Sequence, residues 1–347
     1  MVGRVRACLG GPQKPRSHFM TEPFVTYAYA LDGTEAGQPL AGAALLQALR
    51  ADAPAWAHLD GKDPAANGWI SAQLDYLDPQ AIEALLDVDT RPRLTVLGSG
   101  MILILRGMNF NAGEDPEDMV SVRMWIDPHR IVTISRKRVW AIERMHEALA
   151  AGRGPSDAGS FLVNLIEDIT TNIAKFQSGL DQKAEELEHK VISEGTERLR
   201  RQVVDMRLQI IAARRYMGPQ RDALAEIGRA KLELLDQTTR REIEEEHLKM
   251  TRVVEDMDEL REQASVLREE LSGQLSDRLN RNMFMLSILS AIFLPLGFLT
   301  GLFGVNVGGL PGLERSDAFL WLCGAMGGLV FLQVLALWHM RWIGRGG

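Results

Sequence analysis

The residues with the clearest chemical capacity lie in an uncharged, glycine-rich stretch at 301–312. There, Gly304, Val305 and Asn306 set one carboxamide side chain among glycine and apolar neighbours. An uncharged loop cannot strip the water from a divalent cation, but a ring of Asn306 oxygens can hydrogen-bond to the hydration shell of the ion. The pattern therefore favours a filter that admits a hydrated cation, and the simpler alternative is a tight turn at Gly304.

Two pairs of carboxylate and imidazole side chains occur at helical spacing in the charged part of the chain. Glu185 and His189 are four residues apart, and Glu244 and His247 are three apart, so each pair shares one helical face. Carboxylate oxygen and imidazole nitrogen are both zinc ligands, which makes each pair a candidate metal site. The alternative is a solvated, charged helix face that holds no metal.

Composition and charge exclude several classes of protein. The formal net charge is -7 and the sequence pI is about 5.6, which argues against a nucleic-acid partner. The two cysteines, Cys8 and Cys323, cannot build a disulfide framework or a Cys-X-X-Cys metal site. The sequence shows no recognisable hydrolase motif, and Gly98 and Gly100 lack the Lys-Ser/Thr of a phosphate-binding loop. We therefore expect no catalytic residues and no cofactor, and divalent cations are the expected ligands.

Two uncharged apolar runs, at 283–303 and 318–338, dominate the C-terminal part of the chain. Each is long enough to cross about 30 Å of hydrocarbon as a helix, so we expect two transmembrane helices. Basic residues flank the pair on its outer ends, and acidic residues outweigh the one arginine of the connecting loop at 304–317. The flanking residues are Arg278, Arg281, Arg341 and Arg345, and the loop residues are Glu314, Arg315 and Asp317. The positive-inside rule then predicts cytoplasmic termini and a periplasmic loop.

The sequence before the apolar runs changes character twice. Residues 1–19 lack the apolar core of a signal peptide and are interpreted as a disordered extension. Residues 20–150 mix helical segments near 68–77 and 79–88 with strand-like runs, which predicts one cytoplasmic α/β domain. The strand-like runs lie at 24–30, 55–59, 94–97, 101–105, 119–126 and 131–135.

Helical spacing of charged and apolar residues dominates from residue 151 onward. It predicts a helical hairpin at 151–235, punctuated by Gly195 and by the pair Gly218 and Pro219. A stalk helix at 236–282 then leads without proline into the first apolar run, and residues 339–347 form a short cytoplasmic tail. The expected class is an α+β membrane protein with an N-terminal α/β domain, a long helical stalk and two C-terminal transmembrane helices.

The loop motif and its surroundings resemble the CorA superfamily of metal-ion transporters, whose members end the first membrane helix with Gly-Met-Asn after an aromatic residue. Here Phe303 precedes Gly304, Val305 and Asn306, so valine stands in the place of methionine. With the Val-Gly-Gly that follows, this form is similar to the zinc-transporting ZntB branch. The sequence at 275–280 and 293–296 also looks like the family's junction between stalk and membrane, so the resemblance covers most of the chain.

The resemblance implies a homopentameric funnel in the bacterial inner membrane, embedded in the lipid bilayer and transporting a divalent cation. Zinc is the ion that the motif indicates, and magnesium, cobalt, nickel and cadmium are the other ions considered. Several copies are needed in any case, because two spans cannot enclose a hydrated ion. Matching the family's pore helix residue by residue implies a pore lined by Asn280, Met283, Leu286, Leu294 and Gly297. Phe303 is a further candidate for the pore lining. Glu314 and Asp317 of the loop are candidates for coupling to a proton gradient.

A second triplet, Gly107, Met108 and Asn109, spells the magnesium-type motif in full. It follows a strand-like run in the soluble part of the sequence, far from either apolar run. We therefore interpret it as the end of a strand and a turn.

Three alternatives stay open at this point. Within the same class, the transported ion is magnesium, cobalt or nickel instead of zinc. In a different class, the chain is a membrane-anchored coiled-coil scaffold or sensor, which would need neither Asn306 nor Pro295. The third is a membrane-bound enzyme that uses the α/β domain, although no catalytic constellation supports it.

Overall fold

The computed structural model describes residues 22–32, 36–87, 91–194, 197–305 and 316–339. Several predictions fall outside these ranges, namely the extension at 1–19, the punctuation at Gly195, and the tail with Arg341 and Arg345. The chain forms two compact units, one ending at Arg268 and the other beginning at Glu269.

The first unit is built on a six-stranded sheet. Its strands are β1 (Val25–Ala30), β2 (Ala55–Asp60), β3 (Arg93–Leu97), β4 (Gly100–Gly107), β5 (Val120–Ile126) and β6 (Arg130–Ser135). The strand order is β1-β2-β6-β5-β4-β3, with β2 and β6 parallel and the other neighbours antiparallel. Each of the six strand-like runs in the sequence is therefore a strand, because short β-branched and apolar runs favour the pleated, half-buried surface.

Three short helices cover one face of this sheet, and they are α1 (Gly42–Ala48), α2 (Pro64–Gln73) and α3 (Pro79–Leu86). Their buried side chains join the apolar face of the strands in one core that includes Ile70, Leu85 and Ile134. The sequence predicts a helix at 68–77, and these bounds are wrong for α2, which spans Pro64–Gln73. Helix α2 begins at Pro64 because Asp63 caps it, with a carboxylate oxygen 2.9 Å from the Ala65 amide nitrogen.

The opposite face of the sheet is covered by α4 (Trp140–Ala150) and by the first turns of α5 (Ala158–Glu194). The rings of Trp56 in β2 and Phe161 in α5 lie 5.2 Å apart. The hydroxyl of Tyr29 in β1 is 2.8 Å from Nδ1 of His146 in α4. The sheet is thus sandwiched between helices, as the mixed sequence of this domain predicts.

A buried polar cluster lies on this second face, around His58. The Nδ1 atom of His58 and the Nε1 atom of Trp56 each lie 2.9 Å from the Thr133 hydroxyl, and His58 Nε2 is 3.3 Å from the Ser135 hydroxyl. His58 is only 5% exposed. Burial lowers the pKa of His58 to about 3, because an imidazolium would lose its hydration here. The ring is therefore neutral at physiological pH.

Two long helices, α5 and α6 (Glu197–Arg229), follow the sheet. The pair Gly218 and Pro219 does not end α6. Helix α6 runs through both residues, so the expected break is wrong. Proline removes one backbone hydrogen bond. The adjacent Met217 and Gln220 are almost fully buried, and this packing holds the helix together across the proline.

Helix α7 (Gln237–Gly304) begins at a strong cap and packs against α6. A carboxylate oxygen of Asp236 accepts a hydrogen bond of 2.7 Å from the Thr239 amide, and this bond lowers the pKa of Asp236. Arg214 of α6 donates two hydrogen bonds, of 3.1 and 2.9 Å, to the two carboxylate oxygens of Asp258 in α7. The same contact lowers the pKa of Asp258 below its usual range.

The second unit contains the end of α7 and the helix α8 (Ala318–His339). Both have an apolar stretch long enough to cross a membrane, and neither stretch is buried within the described chain. Large apolar side chains such as Phe293 and Phe298 in α7, and Phe319 and Trp321 in α8, are about two-thirds exposed or more. Exposure of this extent in water would be unfavourable, which indicates a bilayer or further protein chains as the surroundings.

Candidate ion pathway and metal-ligating residues

The end of the first apolar helix is the position where the filter motif is expected. Helix α7 ends at Gly304, and Val305 follows it directly. Asn306 and Glu314 lie outside the described residues, whereas Asp317 is the residue before α8 and accepts a hydrogen bond of 3.2 Å from Trp321 Nε1. The apolar span of α7 therefore ends at the first residue of the predicted filter motif, Gly304.

The residues expected to line a pore all lie on the exposed surface of α7 in the single chain. Met283, Leu286 and Leu294 are 61%, 64% and 73% exposed. Asn280, Gly297 and Phe303 are exposed as well. Residues on the opposite face of the span, such as Met285, which is 56% exposed, are also uncovered, so the arrangement of neighbouring chains decides which face would meet the ion.

The first candidate metal pair lies on α5. Glu185 and His189 are both exposed, and Glu185 borders an open cleft between α5 and α7 of about 560 Å³. Other carboxylates border the same cleft, namely Asp181, Glu188, Asp256, Glu259 and Glu262. Spacings of three and four residues place the acids of each helix on one face, and this signal is present in the sequence, but only the packing of α5 against α7 shows that the two acidic faces meet.

The second candidate pair lies on α7 near its start. His247 is half-buried, and its Nδ1 donates a hydrogen bond of 3.2 Å to the carbonyl oxygen of Arg221, which leaves Nε2 as the basic nitrogen. Glu244 is exposed, whereas the neighbouring Glu246 is buried and pairs with Lys249. In the described part of the chain, no three His, Cys, Asp or Glu side chains converge as metal ligands. Each pair alone falls short of the three or four protein ligands of a zinc site.

The second Gly-Met-Asn triplet serves the structure of the soluble unit. Strand β4 ends at Gly107, and Asn109 is 1% exposed. Its amide nitrogen donates a hydrogen bond of 2.6 Å to Glu114, and its carbonyl oxygen accepts one of 3.1 Å from the Asn111 backbone. The bond from Asn109 and a second one from Lys137 lower the pKa of Glu114. The triplet is a strand end followed by a loop that this asparagine holds in place, as the sequence predicts.

The fold and the sequence together define the class of this protein. The family model described as CorA-like Mg2+ transporter protein matches residues 51–339, and the chain belongs to that family. The resemblance inferred from the Gly-Val-Asn motif is thereby confirmed.

Among its relatives, the chain is 33% identical over 318 residues to the zinc transport protein ZntB of Yersinia enterocolitica, covering 91% of this chain and 95% of that protein. It is also 33% identical to the divalent cation transporter CmaX of Pseudomonas aeruginosa, over 91% of this chain and 96% of the relative. The solved structure of full-length CmaX superposes with a TM-score of 0.78 at 32% identity, and covers 92% of this chain and 99% of its own. The expected architecture, an α/β domain followed by long helices and two C-terminal apolar helices, is confirmed.

Proposed function

We propose that this chain transports a divalent cation, namely zinc, through a homopentameric pore in the bacterial inner membrane. Membership of a family of ion transporters makes it a transporter subunit and not an enzyme. The zinc assignment rests on similarity to ZntB over most of the chain, together with the valine at position 305. Magnesium, cobalt, nickel and cadmium are the competing ions.

The observation that carries this proposal is the place where the first span stops. Because α7 ends at Gly304, the Gly-Val-Asn triplet begins at the last residue of the apolar helix. A ring of Asn306 carboxamides at that point would contact the hydration shell of an ion that enters the pore. The span at 283–303 contains no Asp, Glu, His or Cys, so zinc would meet no direct ligand there and would pass with its water.

The uncovered apolar surface of both spans supports assembly of several copies. Two helices cannot surround a hydrated ion, whereas five copies of α7 around an axis would do so and would cover part of each other's exposed surface. In that arrangement Met283 and Leu294 form rings of apolar side chains. Such rings act as constrictions that close the pore when they lose their water.

The proposed orientation places the α/β domain and both termini in the cytoplasm, because basic residues flank the outer ends of the two spans. The acidic cleft between α5 and α7 then lies on the cytoplasmic side. Its six carboxylates create a negative potential that attracts cations, whether or not any of them binds an ion directly.

The test is zinc flux into liposomes that contain the purified full-length protein. Asn306→Ala removes the carboxamide but little apolar surface, so we expect assembly to persist and zinc flux to fall at least tenfold. Asn67→Ala is the matched control, since Asn67 is an exposed asparagine of α2, and its flux should equal that of the wild type. Unchanged flux in Asn306→Ala would remove this residue from the filter.

The same liposomes test the choice of ion. Zinc flux should exceed magnesium flux at equal concentration, and hexaamminecobalt, an inert mimic of a hydrated cation, should compete with zinc. Neither valine nor methionine offers an oxygen ligand, so Val305→Met acts only by changing the position of the Asn306 ring. Magnesium flux without zinc flux would reassign the ion, and the absence of flux of any divalent ion would favour the membrane-anchored scaffold.

A further inference from the structure

A proline in the first span leaves one backbone carbonyl without its helical donor. Pro295 lies within α7, which continues through it to Gly304. In an α-helix the amide of residue 295 would bond to the carbonyl of Ala291, four residues earlier, but proline has no N–H group. An unsatisfied carbonyl is costly in hydrocarbon, where no water is present to replace the missing donor.

The second span supplies a donor for this carbonyl. Gln333 is the only strongly polar side chain in the run at 318–338. Its Nε2 atom donates a hydrogen bond of 3.1 Å to the carbonyl oxygen of Ala291, across a sequence separation of 42 residues. The other end of the amide, Oε1, is buried and has no hydrogen-bond partner within the described residues.

The chemistry of the two groups decides the direction of this bond. A carbonyl oxygen only accepts hydrogen bonds, so rotating the amide would place Oε1 against the oxygen of Ala291 and bring two acceptors together. The nitrogen therefore faces α7, and one amide proton satisfies the carbonyl that Pro295 exposes. A lone glutamine in an apolar span is costly unless it is bonded in this way.

We propose that Gln333 is a positioning residue for ion passage, which holds α8 against α7 at the proline and thereby sets the position of the pore-lining residues beside it. Leu294 precedes the proline and Gly297 follows it, so the bond acts at the level of the constriction expected at Leu294. This role rests on the proposed function, because it requires that α7 line the pore. The bond between Gln333 and Ala291 itself does not depend on transport.

A double-mutant cycle tests the bond in the full-length protein in detergent. Gln333→Met keeps the size of the side chain but removes the donor, and it should lower the thermal midpoint by several degrees. Pro295→Ala restores a backbone N–H to the Ala291 carbonyl, so Gln333→Met should cause at most a third of that shift in the Pro295→Ala background. Equal shifts in both backgrounds would overturn the proposal.

Thr300→Val is the matched control for this cycle. The Thr300 hydroxyl lies 3.0 and 3.1 Å from the carbonyl oxygens of Leu296 and Gly297, which do not depend on the amide of Pro295. Its effect should therefore be the same in the wild-type and Pro295→Ala backgrounds. If Gln333→Met fails to assemble, the double variant should assemble, and failure of both would count against the bond.

Zinc flux separates the positioning role from the bond. Gln333→Met should reduce flux three- to tenfold, and flux in the double variant should equal that of Pro295→Ala alone. Thermal coupling without any change in flux would leave the bond standing and overturn the positioning role. If the mutant cycle shows thermal coupling but the wild-type protein transports no divalent ion, the bond stands and the proposed function is refuted.

Discussion

The buried imidazole of His58 makes the stability of the α/β domain dependent on pH. In the unfolded chain His58 has an ordinary pKa of about 6.5, whereas burial lowers the folded value to about 3. Below pH 6.5 the unfolded chain binds the proton and the folded chain does not. Stability that is fully present above pH 6.5 is therefore lost progressively as the pH falls toward 3.

The size of this effect follows from the two pKa values. Each pH unit between them corresponds to about 1.4 kcal/mol, so lowering the pH from 7.5 to 5 removes about 2 kcal/mol from the free energy of unfolding. Glu114, Asp236 and Asp258 also have lowered pKa values, but the stability that each contributes is lost mainly below the ordinary pKa of a carboxyl group, about 4, so they contribute little by pH 5. Among the groups with a shifted pKa, His58 is therefore the main contributor in this window.

Hydrogen exchange of the full-length protein is the assay, read on peptides from β2 and β6 and corrected for intrinsic exchange rates. Exchange through cooperative opening reports the free energy of that opening. The variant His58→Gln keeps an amide that can bond to Thr133 and Ser135 but removes the titrating ring. We expect the drop between pH 7.5 and pH 5 to be about 2 kcal/mol smaller in the variant than in the wild type. An equal drop in both proteins would refute the assignment to His58.

Two further predictions concern packing and assembly. A Cβ atom on Gly100 would lie 2.6 Å from the ring of Trp125 and 2.8 Å from the Ile126 carbonyl oxygen, so Gly100→Ala should lower the free energy of unfolding by about 2 kcal/mol, measured by denaturant titration. Gly68→Ala is the control, because that helical position has no neighbour within 4 Å and alanine should stabilise it by about 0.5–1 kcal/mol. Native mass spectrometry of the detergent-solubilised protein should show five chains, and a spectrum of monomers and dimers alone would contradict the proposed pore.

Local features of the sequence were sufficient for much of the architecture. The apolar runs at 283–303 and 318–338 predicted the two C-terminal spans, because the length needed to cross a bilayer is a property of the chain alone. Asp78 followed by Pro79 predicted the start of α3, where the Asp78 carboxylate caps the Gln80 amide at 2.8 Å. The Gly-Val-Asn motif at the end of a span was sufficient to recognise the family.

The tertiary structure decided the outcome wherever two distant segments meet. The sequence predicts a helix end at Pro219, but burial of its neighbours in α6 outweighs the lost hydrogen bond. The sequence pairs Glu185 with His189 on one helix, and the structure adds the carboxylates of α7 across the cleft that Glu185 borders. Both outcomes depend on packing between helices, which local patterns do not report.

The two spans show most clearly which features the sequence determines and which features only the tertiary structure determines. The sequence alone identified Gln333 as the one strongly polar side chain of its span and Pro295 as a proline within the other. Only the tertiary structure brought the glutamine to the carbonyl of Ala291, which the proline leaves without a donor. The physical reason is that propensity, capping and hydrophobic length act within a few turns of one segment, whereas the partner of an unsatisfied polar group depends on how separate helices pack.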